Sequence, residues 1–303
     1  MHDLIIIGSG PAGLSAAIYA KRACLDVVVL EKEPMGGGQI VYTEAVDNYP
    51  GLPETNGFDL AQKFEQHAKA LGVLFQTGEA VSVEKKEDIW NISLASGEIL
   101  TTRTVLLATG ATHRKLLVPG EEALRGAGVS YCATCDGAFF RNKTVAVVGG
   151  GDVALQDALY LAKSCSQVYL IHRRQKLRGA AVLQEQIRKA ENITFLLDTV
   201  VTKINGENRV ESLTLLHTKT EKTEELPVSG VFIAVGMQPQ TEMVEKVLSL
   251  EHGYVSAGED GITDQPGLFV AGDVRTKRLR QIVTAVSDGA NAVTSITDFL
   301  TKR

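Results

Sequence analysis

The sequence predicts an α/β fold built from two three-layer units, the second inserted into the first. Three observations carry that expectation. A strand, a glycine turn and a helix follow one another twice, alternating segments follow each copy at matching places, and a late apolar strand returns the chain to the first unit.

The first copy opens with Asp3-Leu4-Ile5-Ile6-Ile7, an unbroken apolar run that reads as a buried parallel strand. Gly8-Ser9-Gly10-Pro11-Ala12-Gly13 follows, then a helical stretch over 14–23 and a second strand, Val27-Val28-Val29-Leu30, ending at Glu31. This is GxGxxG in its proper context, with an acid 23 residues after the first glycine. Glycines there let backbone approach a pyrophosphate at a helix N-terminus, and the acid accepts hydrogen bonds from ribose hydroxyls. Alternation over 81–105 predicts a β-meander, and Val105-Leu106-Leu107-Ala108-Thr109-Gly110 a strand running into a glycine turn.

The second copy starts at Thr144-Val145-Ala146-Val147-Val148 and turns at Gly149-Gly150-Gly151-Asp152-Val153-Ala154. A helix over 155–163 and a strand over 168–171 follow. At the same spacing of 23 residues from the first glycine stands His172, leading into Arg173, Arg174 and, nearby, Arg178. An acid in one copy and a basic cluster in the other divide the chemistry. A carboxylate repels a 2′-phosphate, whereas guanidinium forks match its oxygens. The first site is therefore expected to hold FAD and the second NADPH. A second meander is expected over 200–230, then a strand over 231–236.

Gly267-Leu268-Phe269-Val270-Ala271-Gly272-Asp273 is an apolar strand ending in a carboxylate that can bond a ribityl hydroxyl, and a helix over 281–300 follows it. The expected division is thus 1–111 and 242–303 for the flavin domain and 112–241 for the inserted nicotinamide domain, with linkers at 115–120 and 237–239. Both are read as Rossmann-like, three-layer ββα nucleotide-binding domains.

The chain has 303 residues, enough for two domains, and a net charge of −5 with no basic block, so no nucleic-acid partner is expected. Met1-His2-Asp3 leads directly into the first strand without a signal-peptide pattern, and no apolar run approaches the roughly 20 residues that span a bilayer. A cytoplasmic protein with no membrane partner is expected. Of four cysteines, Cys24 and Cys165 stand alone and read as small buried apolar residues. Cys132 and Cys135 form a CxxC pair, 14 residues before the second glycine turn. In a reducing compartment such a pair is redox-active or binds metal; zinc would need two further ligands that the sequence does not cluster. Beside a flavin the pair forms a two-electron relay, and Asp136 stands next in sequence to carry the proton that exchange requires.

Together these segments resemble the low-molecular-weight, bacterial-type thioredoxin reductases, within the flavin-dependent pyridine nucleotide-disulfide oxidoreductases. The resemblance covers essentially the whole chain. It rests on both glycine turns, Gly37-Gly38-Gln39, Asp47-Asn48-Tyr49-Pro50-Gly51, Ala108-Thr109-Gly110-Ala111, Cys132-Ala133-Thr134-Cys135-Asp136-Gly137, His172-Arg173-Arg174, Ala271-Gly272-Asp273-Val274 and Arg280-Gln281. It implies a homodimer passing electrons from NADPH through FAD to the Cys132–Cys135 disulfide and on to thioredoxin. Cys135 would face the flavin, Cys132 would attack thioredoxin, and Asp136 would act as acid and base. The flavin site would comprise Gly8, Gly10, Pro11, Ala12, Gly13, Glu31, Lys32, Gly38, Gln39, Asn48, Thr109, Gly110, Asp273, Val274, Arg280, Gln281 and Ile282. The nicotinamide site would comprise Gly149, Gly151, Asp152, Val153, Ala154, His172, Arg173, Arg174 and Arg178. Val153 stands where the family has a hydroxyl, and Gln156 and Asp157 where it has glutamates. A ferredoxin-fed or NADH-fed reductase of the same fold, and a small-molecule dithiol oxidase, are the alternative readings.

Overall fold

The computed structural model describes residues 1–43, 46 and 48–302. Along the chain run β1 (His2–Ile7), α1 (Pro11–Arg22), β2 (Val27–Glu31), α2 (Gly57–Ala70), β3 (Leu74–Thr77), β4 (Ala80–Lys86), β5 (Ile89–Leu94), β6 (Ile99–Leu107) and β7 (Ala111–His113). There follow β8 (Val129–Ser130), α3 (Ala133–Asp136), β9 (Thr144–Gly149), α4 (Asp152–Ala162), β10 (Gln167–His172), α5 (Ala181–Lys189), β11 (Ile193–Leu197), β12 (Thr199–Asn205), β13 (Ser212–His217), β14 (Thr223–Pro227) and β15 (Gly230–Ala234). The chain ends with β16 (Met237–Pro239), β17 (Leu250–Glu251), β18 (Tyr254–Val255), β19 (Leu268–Val270) and α6 (Ile282–Thr301).

Two compact units result. One is Met1–Tyr42, Val46–Thr112 and Gln238–Arg303; the other is chiefly His113–Met237. The chain crosses between them at β7 and β16, which pair with each other. The expected second boundary at 241 lies four residues beyond the observed one at 237.

In the first unit the parallel order is β3-β2-β1-β6-β19. β6 is long enough to serve two layers. Its start, Ile99–Thr102, pairs antiparallel with β5, and its end, Val105–Leu107, pairs parallel with β19. Apolar side chains on the two faces of β1 explain its continuous hydrophobic run: Leu4 and Ile6 pack toward α1 and α6, Ile5 and Ile7 toward the meander. α1 and α6 approach so closely that a Cβ on Gly289 would lie 2.1 Å from the Ala12 carbonyl oxygen.

The second unit repeats the plan with a parallel sheet β11-β10-β9-β15-β8 and an antiparallel meander β12-β13-β14. Its fifth strand, β8, precedes the glycine copy in sequence, whereas the fifth strand of the first unit, β19, comes late in the chain. That swap brings the Cys132–Cys135 segment out at the carboxyl end of the sheet, where the β9–α4 turn also lies. The two points are separated by β15, so by two strand spacings, roughly 10 Å.

Two expectations change. Cys24 is exposed, not buried: it lies just past α1 in a left-handed conformation (φ 62°), outside the helix face that packs. Cys165 is buried as expected, and burial raises its thiol pKa. The helices α2 and α5 were not expected; α2 is capped by Asn56, whose side chain accepts from the Asp59 amide at 2.7 Å.

Candidate functional site

Each unit holds a glycine turn at the carboxyl end of its first strand, and both turns share one design. The second glycine of each, Gly10 and Gly151, opens on empty space, with no atom within 4 Å of a Cβ placed there. The third position packs instead: a Cβ on Gly13 would lie 1.9 Å from the Gly8 carbonyl oxygen, so the first turn closes only over glycine, while buried Ala154 holds the same place in the second. Neither α1 nor α4 has a side-chain N-cap. Their first amides are left for a ligand, and Pro11 at the start of α1 donates none.

In the first unit Glu31 is fixed to this turn. One carboxylate oxygen accepts from the Ser9 amide at 2.8 Å and the Ser9 hydroxyl at 2.6 Å, the other from the Glu33 amide at 3.0 Å. A carboxylate has about four acceptor positions, which leaves one for a ribose hydroxyl. Gly38 lies against the turn, a Cβ there meeting the Gly10 Cα at 3.4 Å, and it begins the short helical segment that carries Gln39. Thr109 donates to the Gln240 carbonyl at 2.7 Å, and Lys32 reaches the Gln240 side chain at 3.4 Å. Asn48 donates to the Gln281 side chain at 2.9 Å, which joins two expected site residues far apart in sequence. Gln281 is the N-cap of α6, with a reciprocal capping box to Thr284. Asp47 lies outside the described residues.

At the end of β19 the chain builds a charged cluster. Asp288, buried on α6, accepts from the Gly272 amide at 3.0 Å, from Arg275 Nε at 2.9 Å and Nη2 at 2.7 Å, and from Lys277 Nζ at 2.9 Å. These contacts, with the guanidinium fork beside it, hold the Asp288 carboxyl below the usual range although burial opposes them. Asp273 differs. Its Oδ1 is buried without a hydrogen bond, and Lys277 Nζ lies 3.9 Å from it. Burial raises the Asp273 pKa, with Lys277 and Arg280 opposing. Arg280 stacks on Tyr254 at 4.3 Å, and its Nε is also buried without a partner. Two orphaned polar atoms beside expected flavin contacts are what a polar cofactor would satisfy, so the residues present fit FAD. Arg275, Lys277 and Asp288 were not foreseen from sequence. The only trace was an acidic residue on the apolar face of the last helix.

In the second unit Arg173, Arg174 and Arg178 are exposed and form no ion pair with the described residues. His172 turns inward instead. Its ring occupies the space beside Gly150, where a Cβ would lie 2.4 Å from it, and Nε2 is 3.2 Å from the Lys176 carbonyl. Burial, then the three arginines, lower its pKa. His172 is the floor of the turn and leaves the three arginines as the exposed cations beside it. Asp152 side chain accepts from the Ala180 amide at 2.6 Å, and Val153 is exposed on the first turn of α4. The site can thus take a pyridine nucleotide: open backbone at Gly151, uncapped amides and unpaired guanidinium groups.

Asp157, one turn further along α4, was flagged from sequence only as a departure. Burial pushes its carboxyl up to about 7. A folded-state value above the unfolded one, about 3.9, means the folded chain holds more protons, so stability falls as pH rises between them. The gain in stability from Asp157→Asn is expected to grow from about pH 4 to about pH 7 and level off above. Urea unfolding of both proteins across that range checks this; a gain independent of pH contradicts it.

Cys132 and Cys135 are joined in a disulfide, with Cα atoms 5.3 Å apart, at the start of α3. The Cys132 amide bonds the Ser130 hydroxyl at 3.1 Å, and that hydroxyl also donates to Asp136 at 2.6 Å. Ser130 therefore links the sulfur-bearing backbone to the acid. The following Gly137 packs on α4, where a Cβ would meet Leu161 and Tyr160 at 3.1 Å. The disulfide, the acid and the second glycine turn are thus parts of one unit, and the first glycine turn belongs to the other.

Comparison with known proteins agrees with this architecture. Residues 2–289 match the model of the family described as pyridine nucleotide-disulphide oxidoreductase. A thioredoxin reductase of Listeria innocua is 43% identical over 294 residues, 96% of this chain and 92% of that protein. One from Bacillus subtilis is 41% identical over 302 residues, 99% and 95% of the two chains. The crystal structure of thioredoxin reductase from Streptococcus pyogenes superposes with a TM-score of 0.93 at 39% identity, covering 100% of this chain and 99% of that one. The chain belongs to the pyridine nucleotide-disulphide oxidoreductase family.

Proposed function

We propose that this family member is a thioredoxin reductase that draws electrons from NADPH, through FAD, to the Cys132–Cys135 disulfide and then to oxidised thioredoxin. The observation that carries the reading is the closed disulfide beside Asp136, on the unit that also presents the arginine-flanked glycine turn. Relatives named thioredoxin reductase across nearly the full length support it.

FAD, when bound, supplies the means to take a hydride from a nicotinamide and pass two electrons to a disulfide. Glu31, Gly38, Gln39, Asn48, Asp273, Arg280 and Gln281 would hold it, with the Gly8–Gly13 turn on its pyrophosphate. Gly149, Gly151 and the α4 amides would hold the nicotinamide cofactor, with Arg173, Arg174 and Arg178 on its 2′-phosphate. The chain's own sulfurs perform the exchange. Reduction by two electrons and two protons opens the Cys132–Cys135 bond. The Cys132 thiolate then attacks one sulfur of the thioredoxin disulfide, forming a mixed disulfide and releasing the other sulfur as a thiolate, which takes a proton. Cys135 next attacks Cys132, reforming the internal bond and releasing the second thioredoxin thiol. Asp136, held by Ser130, carries the protons. The same reading places the enzyme in the cytoplasm as a homodimer.

Replacing Arg173 and Arg174 together with alanine is expected to raise the KM for NADPH about tenfold or more while the KM for NADH stays within about twofold. Steady-state thioredoxin reduction with each cofactor checks this. Equal use of NADPH and NADH by the native protein would favour the NADH-fed reading.

A further inference from the structure

The cluster behind Asp273 carries an inference that rests on the flavin reading and extends it to a residue that reading does not use. Asp288 has a charge partner and three hydrogen bonds without Lys277: the Arg275 fork supplies two, at 2.9 and 2.7 Å, and the Gly272 amide a third at 3.0 Å. Arg275 also directs Nη1 to the Ala257 and Thr276 carbonyls, at 3.3 and 2.9 Å. Arg275 and Asp288 thus form a complete pair. Lys277 nevertheless joins them, with its side chain only 6% exposed. A second buried cation on an already paired carboxylate is costly unless another anion balances it. That anion is Asp273, at 3.9 Å. The separation is too long for a hydrogen bond, so the ammonium faces Asp273 without occupying its acceptor. Oδ1 stays buried and unbonded. Arg280, the other cation facing this carboxylate, directs its Nη groups to the Lys277 and Arg275 carbonyls at 3.1 and 3.4 Å.

We propose that Lys277 is a positioning residue for the flavin: anchored by Asp288, it holds the Asp273 carboxylate in place with Oδ1 open to accept a hydroxyl from the polyol chain of FAD. The loop 272–277 is thereby preset for the ligand by a charge that the ligand does not touch. The adenosine half of the cofactor, held at Gly10 and Glu31, does not depend on this arrangement.

The test is reconstitution of the flavin-free protein, with FAD affinity read by flavin fluorescence and ADP affinity by calorimetry. Lys277→Met is expected to weaken FAD by about tenfold or more and leave ADP within about twofold, with Lys277→Arg recovering most of the loss. In an Asp273→Asn background, Lys277→Met should cost nothing further. If Lys277→Met does not fold, Lys277→Gln, which keeps a donor for Asp288 without the charge, carries the same expectations. Unchanged FAD affinity, parallel losses of FAD and ADP, or losses that add in the Asp273→Asn background overturn the proposal. Failure of the native protein to bind FAD at all would instead overturn the flavin reading.

Discussion

Cys135→Ser is expected to abolish thioredoxin reduction while the bound flavin should still be bleached by NADPH. A serine hydroxyl cannot close a disulfide, so electrons reach the flavin and have no sulfur bond to enter. Cys132→Ser also loses thioredoxin reduction, but it leaves the Cys135 thiol as the sole sulfur of the pair. A long-wavelength thiolate–flavin absorbance is expected in this variant and not in Cys135→Ser. The two substitutions therefore separate the roles that the CxxC pattern alone leaves symmetric, and the half-buried state of both residues in the structure leaves them symmetric too. Stopped-flow absorbance with NADPH, followed by thioredoxin turnover, reads both. Full thioredoxin reduction by Cys132→Ser would reverse the assignment.

Asp136→Asn is the second large effect. Its carboxylate accepts from Ser130, whose hydroxyl also receives the Cys132 amide. Asparagine preserves the shape and the hydrogen bond and removes only the ability to exchange a proton. Loss of a positioned acid–base group costs about 10²–10⁴-fold. Thioredoxin reduction should fall by that order while NADPH-driven bleaching of the flavin keeps its rate. If Asp136 were only the first residue of an Asp-Gly turn, the variant would turn over at nearly the native rate, since asparagine suits that turn equally well.

Local patterns made much of this molecule legible before its structure. The repeated strand–glycine–helix units, the meanders and the late strand each have a periodicity or punctuation that a few adjacent residues carry. β1 and β9 are observed within a residue of their expected runs, and β19 starts a residue late and stops at Val270, three residues short of Asp273. What escaped was set by distant partners. The charge cluster at Asp288 joins residues 11 to 16 positions apart, and no single segment announces it. His172 shares Glu31's spacing, yet its ring fills the gap beside Gly150, so equal spacing gave unequal placements. Cys24, one residue past the expected helix over 14–23, reads as a small buried apolar residue until the chain is seen to leave α1 at Arg22 and turn it outward. The helix α5 follows a basic loop with no N-capping side chain, which removed the usual signal for its start.

The central claim is that electrons from NADPH reach the Cys132–Cys135 disulfide by way of a flavin. Anaerobic titration of the purified protein with NADPH, NADH and reduced ferredoxin, following flavin absorbance and free thiols together, tests it most directly. The expected result is one FAD per chain, bleaching by NADPH well below the NADH concentration needed, and two new thiols that disappear on adding oxidised thioredoxin. A flavin that responds only to ferredoxin, or that bleaches with NADPH while the disulfide stays closed, would contradict it.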